Sequence, residues 1–409
     1  MYPGGSAVML RRVSSQIGRL LFRRTFRNLQ QTCTEALFST SSMSAEAVRA
    51  RAGSPIKVSL TDSAGRGVFT TRSIGSGELI HTAKPLVTHP SLALSDQVCC
   101  YCLKKLDKDG SSGSFSSLKG EDGTSYCFCS EECRDVSKAC CEVESKADWS
   151  LYHDHCRAQG LKYPLMVKRF ACMVISGAAS ADDLGILQPA RLLPGAVSQV
   201  SDSSDYHNIL AVGFNARSIR CETQQVLDNL DKANDDDDKF HNGRKETGLK
   251  YVAEMFLMEE EFELLKRTLL KAQIDERLTG CILYHRFLTK QWYMGVLARI
   301  RINAFRVELV ATSYKDLLVS ATASVAAQAA VGNALYMLPS FYNHDCDPNT
   351  HIVWIDSAFA KLKALRHIEE GEELRICYLD ASMDCDARQK LLSEGFGFQC
   401  RCFRCLSHD

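Results

Sequence analysis

Asn343-His344-Asp345-Cys346-Asp347-Pro348-Asn349 is the stretch on which the reading of this chain turns. Its five fixed letters, Asn-His-x-Cys-x-Pro-Asn, meet by chance roughly once in ten thousand chains of this size. Downstream, Gly371-Glu372-Glu373-Leu374-Arg375-Ile376-Cys377-Tyr378 reads as a turn leading into a short strand with alternating apolar positions. Farther on, Cys400, Cys402 and Cys405 supply three thiols within six residues. A thiolate zinc site is tetrahedral and needs a fourth ligand, for which Cys346 is the candidate. Arg401 and Arg404 among these cysteines argue against plain core thiols.

Upstream, Ile56 to Leu60 is strand-like, Ser63-Ala64-Gly65-Arg66-Gly67 is a turn, and Val68 to Thr71 resumes the extended pattern, which predicts a hairpin. Ile74-Gly75-Ser76-Gly77-Glu78-Leu79-Ile80 predicts a second tight turn before a strand. Cys99-x2-Cys102 followed by Cys129-x3-Cys133 has the spacing of one zinc site of four thiolates. Lys104 to Tyr126 holds no cysteine that could build another. Cys127, His153, His155 and Cys156 are the remaining candidates for one, at a poor spacing, and Cys100, Cys140 and Cys141 read as bystanders. From about 161 to 330 the chain reads as mainly helical, in blocks from Tyr251 to Gln273 and from Trp292 to Val310. Ser198 to Asn242, with Asp235 to Asp238, reads as a solvated loop, because it lacks the spaced glycine and distal glutamate of a calcium loop.

The 409 residues are 45% hydrophobic, enough for a sizeable core, and 49 basic residues balance 49 acidic ones. That balance argues against a chain built mainly to coat nucleic acid. Nineteen cysteines, no apolar run of membrane or signal-peptide length, and metal-ligand spacings together indicate a reducing compartment and zinc rather than disulfides. The N-terminus departs from neutrality: Arg11, Arg12, Arg19, Arg23, Arg24 and Arg27 all precede Glu35, the first acidic residue. Arg19, Arg23 and Arg27 recur every four residues while Val13, Ile17, Leu20 and Leu21 gather on another side, and a serine-rich stretch follows. Residues 1–43 are therefore expected to be a mitochondrial transit segment, with a disordered basic tail as the plainer reading and a plastid or nuclear address as alternatives.

The three C-terminal pieces in this order resemble the catalytic half of SET-domain protein lysine methyltransferases of the SET and MYND type. The whole is similar to plant trithorax-related members with a reduced MYND finger. The resemblance implies an α+β fold: a β-rich SET core with a pseudoknot, a MYND-like zinc insertion, a helical insert and a post-SET zinc site. The corresponding segments are 54–95 and 331–380 for the core, 96–160 for the insertion, 161–330 for the helical insert and 381–409 for the post-SET segment. It further implies S-adenosylmethionine as methyl donor, two zinc ions, and a protein or peptide substrate bearing a lysine, on a histone tail or an organellar protein. Tyr378 is then the catalytic tyrosine and Phe305 stands near the lysine channel. Gly65, Arg66, Gly67, Asn303, Asn343, His344 and, besides its catalytic role, Tyr378 hold the donor, and Phe398 packs on its adenine, while Trp292 and Phe396 belong to the core. The zinc ligands are Cys99, Cys102, Cys129 and Cys133 in one site and Cys346, Cys400, Cys402 and Cys405 in the other. Asp345 replaces the family's usual serine, and Ala64 stands where many relatives carry a basic residue near the donor carboxylate, a charge Arg66 is placed to supply. The rival reading is a catalytically weak SET and zinc-finger protein that acts as an interaction module. Neither DNA nor membrane binding is expected.

Overall fold

The computed structural model describes residues 54–106, 117–190, 256–272, 287–310 and 330–409. The basic segment 1–43 and the stretch from Ser198 to Asn242 lie outside these residues. The expected hairpin is formed by β1 (Ile56–Leu60) and β2 (Arg66–Thr70), antiparallel with Val58 opposite Val68. Its turn depends on Gly65, whose φ of +74° falls where side chains with a Cβ are strained. Thr61 closes the turn by accepting the Ala64 N–H on its hydroxyl at 2.8 Å.

β3 (Leu79–Ala83) and β4 (Val87–Pro90) precede the cysteine-rich insertion, which holds β5 (Leu118–Lys119), β6 (Ser125–Tyr126), α1 (Glu131–Ser145) and α2 (Ser150–Ala158). Then come α3 (Tyr163–Ile175), α4 over residues 256–271, α5 (Lys290–Asn303) and β7 (Ala304–Val307). The C-terminal part contributes β8 (Gly332–Leu335), β9 (Asn343–His344), β10 (Thr350–Val353), β11 (Ala360–Ala364), β12 (Glu373–Ile376), α6 (Cys385–Leu391) and α7 (Phe403–Leu406).

Three small sheets surround one core, in the orders β1-β2-β12-β9, β10-β11-β3 and β4-β8-β7. β12 is the centre of the first. Leu374 and Ile376 are buried and Arg375 faces out, the period-two pattern of a strand packed on one side. It pairs antiparallel with β2, Leu374 opposite Val68, and parallel with β9, Arg375 opposite Asn343. Val68, Phe170, Leu362 and Leu374 are fully buried in the shared core, each contributing about 1.5–3 kcal/mol relative to exposure. Among the described residues, no helix is long and apolar enough to cross a membrane.

One expectation needs correction. The helical block read from Trp292 to Val310 ends at Asn303, and Ala304–Val307 becomes β7, paired with β8. Asn303 turns its amide back onto the Arg299 carbonyl oxygen at 2.7 Å, and the next four residues find ladder partners in Gly332–Leu335. A strand partner distant in sequence overrides a local helical pattern.

The insertion is fastened to the core by buried charge. Glu144, near the end of α1, has no exposed side-chain surface and lies 2.6 Å from Lys168 Nζ and 2.5 Å from Arg169 Nε, neighbours on α3. Arg169 also donates to the Cys100 sulfur at 3.1 Å, and Lys168 Nζ lies 3.0 Å from His153 Nε2. His153 Nδ1 in turn lies 3.4 Å from Asp122.

Candidate active site and metal centres

Tyr378 lies two residues beyond the end of β12, so the pairing of β12 with β9 brings it beside the Asn343 motif. Its hydroxyl donates to the Tyr342 carbonyl oxygen at 2.6 Å, and its backbone N–H donates to His344 Nδ1 at 3.1 Å. The second bond makes Nδ1 the unprotonated ring nitrogen, so Nε2 carries the hydrogen that points to the Cys346 sulfur, 3.2 Å away. Burial pushes His344 down to about 4 and pushes the Tyr378 phenol up, so both are neutral at physiological pH. With its proton committed to Tyr342, the Tyr378 oxygen keeps its lone pairs for an incoming donor group.

The β2 hairpin meets this motif at Gly67. A Cβ there would stand 2.5 Å from Glu373 Oε1 and 3.1 Å from Asn343 Nδ2, so the approach requires glycine. Asn343 Nδ2 donates to Glu373 Oε1 at 2.7 Å and to the Arg66 carbonyl oxygen at 3.2 Å, tying hairpin, motif and β12 together. Arg66 and Asn303 both reach the segment before residue 190. Arg66 donates to the Ile186 carbonyl oxygen and lies 4.7 Å over the Phe341 ring, while Asn303 Nδ2 donates to the Gln188 carbonyl oxygen at 2.8 Å. Phe398 is 37% exposed, with its ring 6.0 Å from His344 and 6.5 Å from Tyr378. Phe305 packs edge-on against Tyr336 and Trp354 at 5.5 and 6.3 Å.

Two groups of four cysteines form separate centres, Cys99, Cys102, Cys129 and Cys133 in one and Cys346, Cys400, Cys402 and Cys405 in the other. Within each group all the sulfurs lie within 4.8 Å of one another. Closest approaches are 3.4 Å for Cys102–Cys129, 3.6 Å for Cys129–Cys133 and Cys346–Cys405, and 4.0 Å for Cys346–Cys400. Zinc–sulfur bonds of about 2.3 Å set tetrahedral edges near 3.8 Å, whereas a disulfide needs about 2.05 Å. The groups therefore have the dimensions of metal sites. In the first, Leu103 adopts a φ of +57°, and its N–H bonds back to the Cys99 carbonyl oxygen at 2.9 Å, the knuckle that turns both thiols of Cys-x2-Cys inward. Ser130 caps α1 by accepting the Cys133 N–H at 3.2 Å, fixing the fourth thiol. The four thiols cannot ionise together unaided. Hydrogen bonds from Cys102 and Cys133 hold Cys99 down at about 2, and the same contacts push Cys102 up. A dication removes that competition. Beside the second group, Arg388 is fully buried with Nη2 4.0 Å from the Cys405 sulfur, and Arg404 donates to the Cys346 carbonyl oxygen at 3.1 Å.

A family profile described as "SET domain" matches residues 65–379. The chain belongs to the SET-domain family. It is 46% identical over 391 residues to "Histone-lysine N-methyltransferase ATXR4" of Arabidopsis thaliana, covering 95% of this chain and 98% of that one. It is 22% identical to "SET and MYND domain-containing protein DDB_G0292454" of Dictyostelium discoideum over 80% of this chain and 77% of that one. Over a shorter stretch, 19% of this chain and 18% of the relative, it is 48% identical to "Histone-lysine N-methyltransferase SMYD3" of Homo sapiens.

Phe396, read from sequence as a core residue, is instead only half-buried in this SET protein, with its ring 5.0 Å from Tyr378. The Phe396-x-Phe398 repeat ahead of Cys400 was the available signal. Asn349 has a role that the sequence reading left open: its amide donates to the Glu373 carbonyl oxygen and accepts the Arg375 N–H, both at 2.8 Å, standing in for one rung of a strand beside β12. Asp345, the departure from the family's serine, turns away to Arg375 at 3.4 Å. The candidates for another metal set are dispersed. His153 belongs to the Lys168 and Asp122 chain, His155 lies 3.7 Å from Glu260, and Cys156 is buried in the core.

Proposed function

We propose that this SET-domain protein transfers methyl groups from S-adenosylmethionine to a lysine side chain of a protein. The observation that carries the reading is the Tyr378 hydroxyl, anchored by the Tyr342 carbonyl oxygen beside the junction of Gly67, Asn343 and His344. Beside that junction the Phe398 ring, 37% exposed and 6.0 Å from the His344 ring, offers an aromatic face on which the donor's adenine would stack. Gly65, Arg66, Gly67, Asn303, Asn343, His344 and Phe398 would hold the donor, which supplies a methyl group made electrophilic by positively charged sulfur. A lysine amine is neutral in only about one molecule in a thousand at pH 7.4, a cost of about 4 kcal/mol, and an apolar channel lowers that cost by disfavouring the ammonium ion. Tyr378 does not take the proton, because burial holds its phenol neutral. Its free lone pairs orient the amine instead.

Titration calorimetry of the purified chain with S-adenosylmethionine, followed by mass spectrometry of a methylated peptide array, tests the reading. Donor binding and a methylated lysine are expected. Absence of donor binding at any accessible concentration would end it and leave the interaction-module alternative.

Each group of four cysteines takes one Zn²⁺, and beside the second group Arg388 and Arg404 offset the excess negative charge of four thiolates. Elemental analysis is expected to return two zinc ions per chain, one for each group; three would mean that a further site forms.

For the address, the arginines from Arg11 to Arg27 and the amphipathic spacing favour mitochondria, and with them an organellar protein as substrate. A fusion of residues 1–60 to a fluorescent protein is expected in mitochondria. Diffuse or nuclear signal would overturn that and put histones first, the substrate class in the printed name of the Arabidopsis relative, while plastid signal would change only the organelle.

A further inference from the structure

His81 lies on β3, in the sheet formed with β10 and β11, and is none of the residues that the sequence motifs single out. Its Nε2 is 2.9 Å from the Tyr342 hydroxyl, and the two rings meet at 5.9 Å with a tilt of 39°. Tyr342 is 1% exposed, so this phenol must be satisfied from within the protein, and His81 is the partner that does it. The backbone of the same residue performs the other task already described: its carbonyl oxygen accepts the Tyr378 hydroxyl at 2.6 Å. Asn343, among the residues that would hold the donor, is the next residue in the chain. A pull on the Tyr342 ring is therefore transmitted through one residue to the oxygen that aims Tyr378.

We infer that His81 is a positioning residue for the methyl-transfer reaction: it fixes the Tyr342 side chain, and Tyr342 in turn fixes the Tyr378 hydroxyl through its carbonyl oxygen. The inference rests on the role given to Tyr378 above. Displacements of an ångström at a reacting centre change rates strongly while leaving substrate binding intact. Glutamine at position 81 retains a group near Nε2 that either donates or accepts a hydrogen bond, and leucine retains only bulk.

The test uses the full chain with zinc and a lysine peptide that the wild-type protein methylates. His81→Leu is expected to lower kcat about tenfold with KM for donor and peptide within about twofold. His81→Gln should recover kcat to within about threefold of wild type. Tyr342→Phe, which removes a single oxygen, should match His81→Leu, and adding His81→Leu to it should cost nothing further. If His81→Leu does not fold, Tyr342→Phe and His81→Gln carry the same expectations. Wild-type kcat in His81→Leu or Tyr342→Phe, a His81→Gln variant no better than His81→Leu, or strictly additive losses would overturn the inference while leaving the methyltransferase reading intact. A wild-type chain that binds the donor but methylates no peptide would overturn both.

Discussion

Tyr378→Phe lowers kcat by about a hundredfold, with donor affinity changed by no more than about threefold. The substitution keeps the ring contacts with His344, Phe396 and Phe398 and removes only the hydroxyl. That hydroxyl is held by the Tyr342 carbonyl oxygen at 2.6 Å, a bond that fixes its direction. In the proposed reaction its lone pairs serve an amine whose geometry matters most in the transition state, and a group used there affects turnover more than ground-state binding. Single-turnover methylation of a lysine peptide, run beside donor titration calorimetry, separates the two effects. Equal losses in donor binding and turnover would show that Tyr378 holds the donor rather than orienting the amine.

Glu144→Ala is expected to destabilise the chain by about 3–5 kcal/mol, because it leaves Lys168 and Arg169 buried without their carboxylate. The apparent Tm should fall by about 10 °C. Burial alone would push the Glu144 carboxyl up, but Arg169 and Lys168 outweigh it and hold the group down at about 2. An unfolded glutamate titrates near about 4.3, so the contribution is complete above that pH and is lost as the pH falls toward about 2. Wild type and Glu144→Ala should therefore converge in stability on acidification and differ most near neutrality. Thermal melts that coincide at pH 7 would mean that the cluster is hydrated and contributes little. In Glu144→Gln the shape is kept and the charge lost, so most of the effect should remain.

The motif around Asn343 was legible because its amides, imidazole and thiol each have a local job that fixes both identity and spacing. Asn349 must replace a strand rung, and Cys346 must face the terminal cysteines. Both groups of four cysteines were readable for the same reason, since metal geometry constrains spacing within a few residues. β7 was not. Its four residues continue a helical pattern, and only β8, far along the chain, makes them a strand. The Glu144 cluster joins α1 to α3 and left a fainter trace, two adjacent cations inside the apolar run Leu165-Met166-Val167-Lys168-Arg169-Phe170. Solvated surface rarely has that context, so a buried counter-ion could have been anticipated, though not which one. Phe396 was hidden because proximity to Tyr378 depends on how the tail folds back after α6.

The place of β12 between β2 and β9 also sets a timetable. The Thr70 hydroxyl bonds to the Glu369 carbonyl oxygen across 299 residues of chain, and Val68 waits for Leu374 in the same strand pair. Contacts of such separation form slowly because the loop must close before the pairing rewards it. On the ribosome the N-terminal hairpin appears first and has no β12 to extend its sheet until nearly the whole polypeptide has followed. The Gly67 and Asn343 junction therefore cannot form before the C-terminal part of the chain is made, and a nascent or truncated chain that stops short of β12 lacks the strand that joins them.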